Sequence, residues 1–175
     1  MRRLMLLRHA KSDRSSPGAV DRDRPLETRG KETAPRIGAY MARHGLVPEM
    51  AICSTARRTR ETWNLVAAAF TKPPAVTFED RIYDATANAI LDVVRETGDN
   101  VHSLLIVGHN PGLQDLAGVL IAAGDVEARE RLHEKFPTAG LAVIDFAYDD
   151  WEKLHRRTGR LDRFVTPRSL TTATD

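Results

Sequence analysis

Apolar positions along this chain fall into short continuous runs and into longer stretches spaced three and four apart. Leu4-Met5-Leu6-Leu7 and Leu104-Leu105-Ile106-Val107 are continuous, the pattern of central parallel strands buried on both faces. Met50 to Ser54, Val76 to Glu79, Leu141 to Phe146 and Arg160 to Val165 read as further strands. Between them the period changes. Ala34, Ile37, Gly38 and Met41 predict a helix over about Thr28 to His44, with Thr28 as N-cap and Gly45 and Pro48 as its stop. Thr62, Val66 and Ala69 predict a second over about Arg57 to Phe70, and Ile90, Leu91 and Val94 a third over about Thr86 to Thr97. Asn110 and Pro111 read as N-cap and first helical residue of a helix carrying Leu113, Leu116, Leu120 and Ile121 and stopping at Gly124. A short helix near Val126 to Lys135 completes an alternating α/β chain, with Lys11 to about Glu27 left as a polar loop.

Composition narrows the classes. With 175 residues, 42% of them hydrophobic, there is material for one sizeable core, so one domain is expected over 1–175. The formal charge of +2 is too small to advertise nucleic acid or a membrane by field alone. The basic stretch His155 to Arg160 lacks the interleaved aromatics of a nucleic-acid surface. A single cysteine, Cys53, lies in an apolar run and reads as a small buried thiol, so a reducing cytoplasm fits. Only four apolar residues follow Met1-Arg2-Arg3 before Arg8, and a signal peptide needs about 7 to 15. No segment reaches the ~18 apolar residues of a membrane span.

Candidate chemistry gathers at one edge. Both continuous runs end in a histidine, giving Arg8-His9-Ala10 and Gly108-His109-Asn110-Pro111-Gly112. The strand ending at Ser54 runs into Arg57-Arg58-Thr59-Arg60 at a helix start. In open α/β sheets ligands bind beyond the carboxyl ends of the strands, so one crevice is expected to receive two imidazoles and several guanidiniums. Guanidinium forks suit phosphate, a neutral imidazole can attack phosphorus, and His109 at a helix mouth has free backbone N–H groups nearby. Ser15, in the loop after His9, is a further candidate donor to a phosphate oxygen.

On these residues the chain resembles the histidine phosphatase superfamily, and within it the small phosphohistidine phosphatases of the SixA type. The resemblance runs nearly end to end, on Leu7-Arg8-His9, Asp23-Arg24-Pro25-Leu26 with Thr28-Arg29-Gly30, Ser54 through Thr62, and Val107-Gly108-His109. It implies a three-layer α/β/α sandwich with a mostly parallel central sheet, phosphoglycerate mutase-like. It also implies His9 as nucleophile, Arg8, Arg58 and His109 around the phosphoryl oxygens, and neither metal nor cofactor. Two positions depart from the pattern. Ala10 replaces a glycine, which a backbone without positive φ tolerates, and Thr55 replaces a proline.

The general acid is open between Asp84, which lies in a segment resembling the family's acid region, Asp13, and none at all. Asp84 also fits a helix-start carboxylate near Thr86. The expected reaction is metal-independent hydrolysis through a phosphoryl-His9 intermediate. Phosphohistidine on a protein is the leading substrate, a small phosphomonoester the alternative, and a non-catalytic phosphate-binding module the rival of another class. No nucleic-acid or membrane partner is expected.

Overall fold

The computed structural model describes residues 1–172. In chain order the strands are β1 (Arg2–Arg8), β2 (Met50–Ser54), β3 (Val76–Glu79), β4 (Ser103–Gly108), β5 (Ile121–Gly124), β6 (Leu141–Phe146) and β7 (Gly159–Val165). The helices are α1 (Thr28–Arg43), α2 (Arg57–Ala67), α3 (Ala87–Arg95), α4 (Gly112–Leu120), α5 (Val126–Glu134) and α6 (Pro167–Thr172). All seven strands join one sheet in the order β3-β2-β4-β1-β6-β7-β5. The β1–β4, β2–β4, β2–β3 and β5–β7 pairs are parallel, and β6 runs antiparallel to both β1 and β7. One reversed strand in a mostly parallel sheet is the α/β architecture the sequence predicts.

Strand alternation builds the two cores. Leu4 and Leu6 of β1 join Leu104 and Ile106 of β4 on one face, against α3, α4 and α5. Met5 and Leu7 join Leu105 and Val107 on the other, against Ala34, Ile37 and Met41 of α1 and Trp63 and Val66 of α2. Every one of these strand residues is fully buried, which is why the runs are continuous instead of alternating. Trp151 is also buried, with its indole N–H donated to Val101 O at 2.8 Å.

Three readings of the sequence need correction. Ile121–Gly124 is not the end of a helix but β5, paired in parallel with β7, so tertiary pairing overrides the helical spacing of Ile121. Pro167–Thr172 forms a helix that the apolar spacing does not predict; Thr166 and Ser169 exchange side chain to backbone hydrogen bonds across its start. The caps shift as well. Glu27, not Thr28, holds the N-cap position of α1, and α4 starts at Gly112, with Asn110 Oδ1 accepting from the Gln114 amide.

Candidate active site

Arg8 and Gly108 are register partners at the ends of parallel neighbours, so His9 and His109 leave the sheet side by side. Their ring centroids are 5.4 Å apart, and both side chains are buried. α2 begins two residues beyond Thr55 and carries Arg58 to the same place, its Nη2 3.3 Å from His109 Nδ1. Arg8 reaches across from β1, with Nη1 donating to Phe136 O at 2.9 Å. Arg8 Nε and Arg58 Nε are buried donors without a protein partner, as are Arg2 Nε and Arg22 Nε. Such groups are uncommon in folded chains, and a tetrahedral oxyanion is the acceptor that forked guanidinium geometry matches.

Partner chemistry sets the tautomers. A carbonyl only accepts, so His9 Nδ1, 2.7 Å from Ala10 O, carries the proton and leaves the Nε2 lone pair free. A guanidinium only donates, so His109 Nδ1 accepts from Arg58 and its proton sits on Nε2, 2.7 Å from Ser54 Oγ. Burial, aided by the positive charge of His109, Arg58 and Arg8, pushes His9 down to about 3, against the pull of the Ala10 carbonyl. Burial and then Arg58 push His109 down to about 4. Arg8 is lowered by burial and by Arg14 and Arg58. Both imidazoles are therefore neutral near pH 7, the state in which a ring nitrogen is a nucleophile.

Stability depends on pH for the same reason. The unfolded chain protonates its histidines near 6.5, whereas the folded pair resists to about 3 and 4, so their contribution is full above pH 6.5 and fades as pH falls toward 4. The urea midpoint is expected to drop between pH 6.5 and 4, largely above the range in which carboxylates titrate, and to drop by roughly half as much in His9→Asn, which keeps His109. An unchanged slope in that variant would remove His9 from the account.

Asp21 and Tyr83 were missed by sequence reasoning. Asp21 opens a short 3-10 turn, Asp21–Asp23, inside the loop expected to be irregular. Its carbonyl accepts from Arg58 Nη1 at 2.8 Å and its Oδ2 from Arg58 Nη2 at 3.1 Å. The Tyr83 hydroxyl also donates to Oδ2, and Arg24 donates to Oδ1. These contacts, the Tyr83 hydroxyl foremost and then Arg58 and Arg24, hold the Asp21 carboxyl well below the usual range. The Tyr83 ring stands edge-on to His109 at 5.5 Å, with the Arg22 guanidinium over it at 4.6 Å. Thus Arg58 is gripped on one side by Asp21 and faces His109 on the other.

The loop after His9 is tied to α2. Thr62 Oγ1 accepts from the Ala10 amide at 2.9 Å, and Glu61 Oε1 accepts from Leu26 N at 2.8 Å. Gly30 lets α1 approach this loop closely, since a Cβ there would lie 2.2 Å from Lys11 O.

The remaining candidates are placed differently. Ser15 and Asp13 line a cavity of about 450 Å³ together with Arg8 and His9. There Asp13 Oδ1 accepts from both Ser15 N and Ser15 Oγ, which commits the Ser15 proton. Asp84 is exposed, sits at a left-handed φ of 49° and makes no hydrogen bond or ion pair among the described residues; Thr86 caps α3 instead. Arg57 is exposed and pairs with Glu61. Among the described residues no three His, Cys, Asp or Glu side chains come close enough to hold a metal ion. Cys53 is buried, its thiol pushed up to about 12 by that burial, so it is inert.

Residues 4–84 match the family model for the histidine phosphatase superfamily, branch 1. An uncharacterised protein of Mycobacterium tuberculosis is 37% identical over 164 residues, covering 93% of this chain and 100% of that one. A solved structure from Agrobacterium tumefaciens, named as a candidate phosphohistidine phosphatase SixA, is 30% identical with a TM-score of 0.77, covering 95% of this chain and 98% of its own. A similarly named structure from Nakamurella is 25% identical with a TM-score of 0.82, covering 95% and 96%. The chain belongs to the histidine phosphatase superfamily. It is of the SixA type, with the phosphoglycerate mutase-like fold.

Within this histidine phosphatase the two departures from the family pattern have physical accounts. Ala10 is buried and is not among the residues with positive φ, so a Cβ fits. Thr55 uses the hydroxyl that a proline would lack. It donates to Asp80 Oδ1 and accepts from Arg22 Nη2, each at 2.5 Å, joining the loop of Asp21 to the end of β3. No helix among the described residues is long and apolar enough to cross a membrane.

Proposed function

We propose that this histidine phosphatase hydrolyses phosphohistidine on a protein substrate, without metal, through a phosphoryl-His9 intermediate. The observation that carries the reading is His9 itself: neutral, with Nδ1 tied to the Ala10 carbonyl and Nε2 unshared, beside two arginines that each keep a buried donor unpaired. Nε2 attacks phosphorus, and the bond from phosphorus to the substrate imidazole breaks as the new P–N bond forms. The departing imidazole takes a proton from solvent. Arg8 and Arg58 spread the charge of the equatorial oxygens, and His109 gains a reason to protonate once a dianion offsets Arg58. Water then attacks phosphorus, releasing inorganic phosphate and restoring His9.

Support for a protein substrate comes from the open site. Only residues 71–100 lie between Phe70 and Val101, too few for a covering lid beyond β3 and α3. The solved relatives from Agrobacterium and Nakamurella carry phosphohistidine phosphatase in their names. A cytoplasmic setting is part of the same proposal.

Asp84 separates the substrate classes. Protonating an alkoxide leaving group is worth about 10² to 10⁴ in rate, whereas imidazole departs with much less help. If Asp84 is the general acid, Asp84→Asn is expected to leave phosphohistidine turnover nearly intact and to depress phosphomonoester turnover, measured on a phosphohistidine peptide and p-nitrobenzyl phosphate with and without chelator; no loss on either leaves the proton to Asp13 or to solvent. Faster hydrolysis of the monoester than of the peptide in the wild-type enzyme would make a small phosphomonoester the substrate class. A large loss on chelation, restored by a divalent ion, would overturn the metal-free mechanism.

A further inference from the structure

A basic trough of about 630 Å³ continues from the active-site cavity. Lys11, Lys135, Pro137 and Thr138 line both. Beyond them the trough is walled by Arg29 of α1, Arg131 of α5 and Arg168 of α6, and among the described residues no carboxylate lines it. Some arginines elsewhere meet acids, as in Arg3 with Asp145, Arg22 with Asp80, Arg57 with Glu61 and Arg81 with Glu96, and others such as Arg36 and Arg129 do not among the described residues, so the trough is set apart by cations gathered around one cavity. In the trough Arg29, Arg131 and Lys135 have no ion-pair partner among the described residues, and all three are exposed. Arg131 lies over the Phe164 ring at 5.7 Å, which floors the trough with an aromatic face. Because the whole chain carries only +2, this excess belongs to one face and not to overall composition.

The character of these cations selects the partner. A subsite for a second small anion would hold it with buried, fixed donors, as Arg8 and Arg58 are held. Here the unpaired charges of Arg29, Arg131 and Lys135 are exposed and spread over α1, α5 and the turn after α5, the arrangement that steers and orients a large acidic surface. We propose that the trough docks the acidic face of a phosphorylated protein, seating the residues that flank its phosphohistidine while the phosphoryl group enters beside His9. This rests on the phosphohistidine reading of the site.

The test compares three substrates: phosphoramidate, a phosphohistidine peptide flanked by Asp and Glu, and one of equal length flanked by Ser and Ala. At about 25 mM salt kcat/KM is expected to favour the acidic peptide about tenfold or more, and at about 250 mM salt that advantage should shrink severalfold. The double variant Arg29→Glu, Arg131→Glu should erase the preference and leave phosphoramidate turnover unchanged. The first of these exchanges places a carboxylate in the first turn of α1, where it favours the helix, and phosphoramidate turnover reports that the fold is intact. Equal kcat/KM for both peptides, with phosphoramidate still hydrolysed, overturns the trough and leaves the phosphatase reading standing. Failure to hydrolyse any of the three overturns the phosphatase reading instead. In that event fluorescence anisotropy of the unphosphorylated acidic peptide decides the trough: binding that weakens with salt and in the double variant upholds it, and no binding overturns it. Tighter binding of an oligonucleotide of matched charge would also overturn it, in favour of nucleic acid.

Discussion

His9→Ala is expected to abolish both turnover and the covalent label that a brief reaction with labelled substrate leaves on the wild-type chain. The label should be acid-labile and base-stable, as a phosphorus–nitrogen bond is. The size of the effect follows from the mechanism: with no imidazole at this position, the split of one difficult displacement into two easier ones is gone. Exogenous imidazole is expected to be a poor replacement, because it lacks the tether that, with the bond from Nδ1 to Ala10 O, fixes the Nε2 orientation the proposed attack uses. Label surviving in His9→Ala would move the nucleophile elsewhere, with His109 the nearest imidazole.

Arg58→Lys should cut kcat by about 10² to 10³, the usual loss when one preorganised charged donor is removed. Lysine keeps the positive charge but loses the planar fork that spans Asp21, His109 and the neighbouring buried donor Nε. The loss should fall mainly on kcat if the guanidinium acts in the transition state, and on KM if it only binds. Arg57→Lys, on the exposed side of the same turn, should be close to wild type. Asp21→Asn weakens the grip on Arg58 while keeping its size, so a smaller loss in the same direction is expected. A near-normal Arg58→Lys enzyme would reduce Arg58 to a structural partner of Asp21.

Much of this layout can be read from the chain because the central strands are covered on both faces. Continuous burial makes Leu4 to Leu7 and Leu104 to Val107 conspicuous, and a strand's end fixes where the next residue emerges, so the pattern alone pairs His9 with His109. What the chain hides depends on long-range geometry. Asp21 acts through partners 37 and 62 positions away and sits in a turn of three residues, too short to carry a period. Ile121 continues a helical spacing and becomes strand only because β7 lies beside it. Asp84 is visible as a carboxylate, but its exposed position next to Tyr83 is set by a left-handed backbone that no spacing announces. The helix α6 does leave a trace, in Thr166 before Pro167, a cap followed by a first-turn proline.

The order of strands in the sheet also governs how the chain reaches this state during synthesis. β1 is made first, yet its neighbours are β4, beginning at Ser103, and β6, ending at Phe146. Until those segments leave the ribosome, four fully buried apolar residues and a row of unpaired backbone groups have nowhere to go. Helices α1 and α2 and the β2–β3 pair can form early, because their contacts are local. The first strand must be kept from other chains for most of translation, so this fold has a late, non-local commitment step and a standing need for protection in the cell. A ribosome stalled between His109 and the end of β6 would carry a chain with both histidines already made and no site.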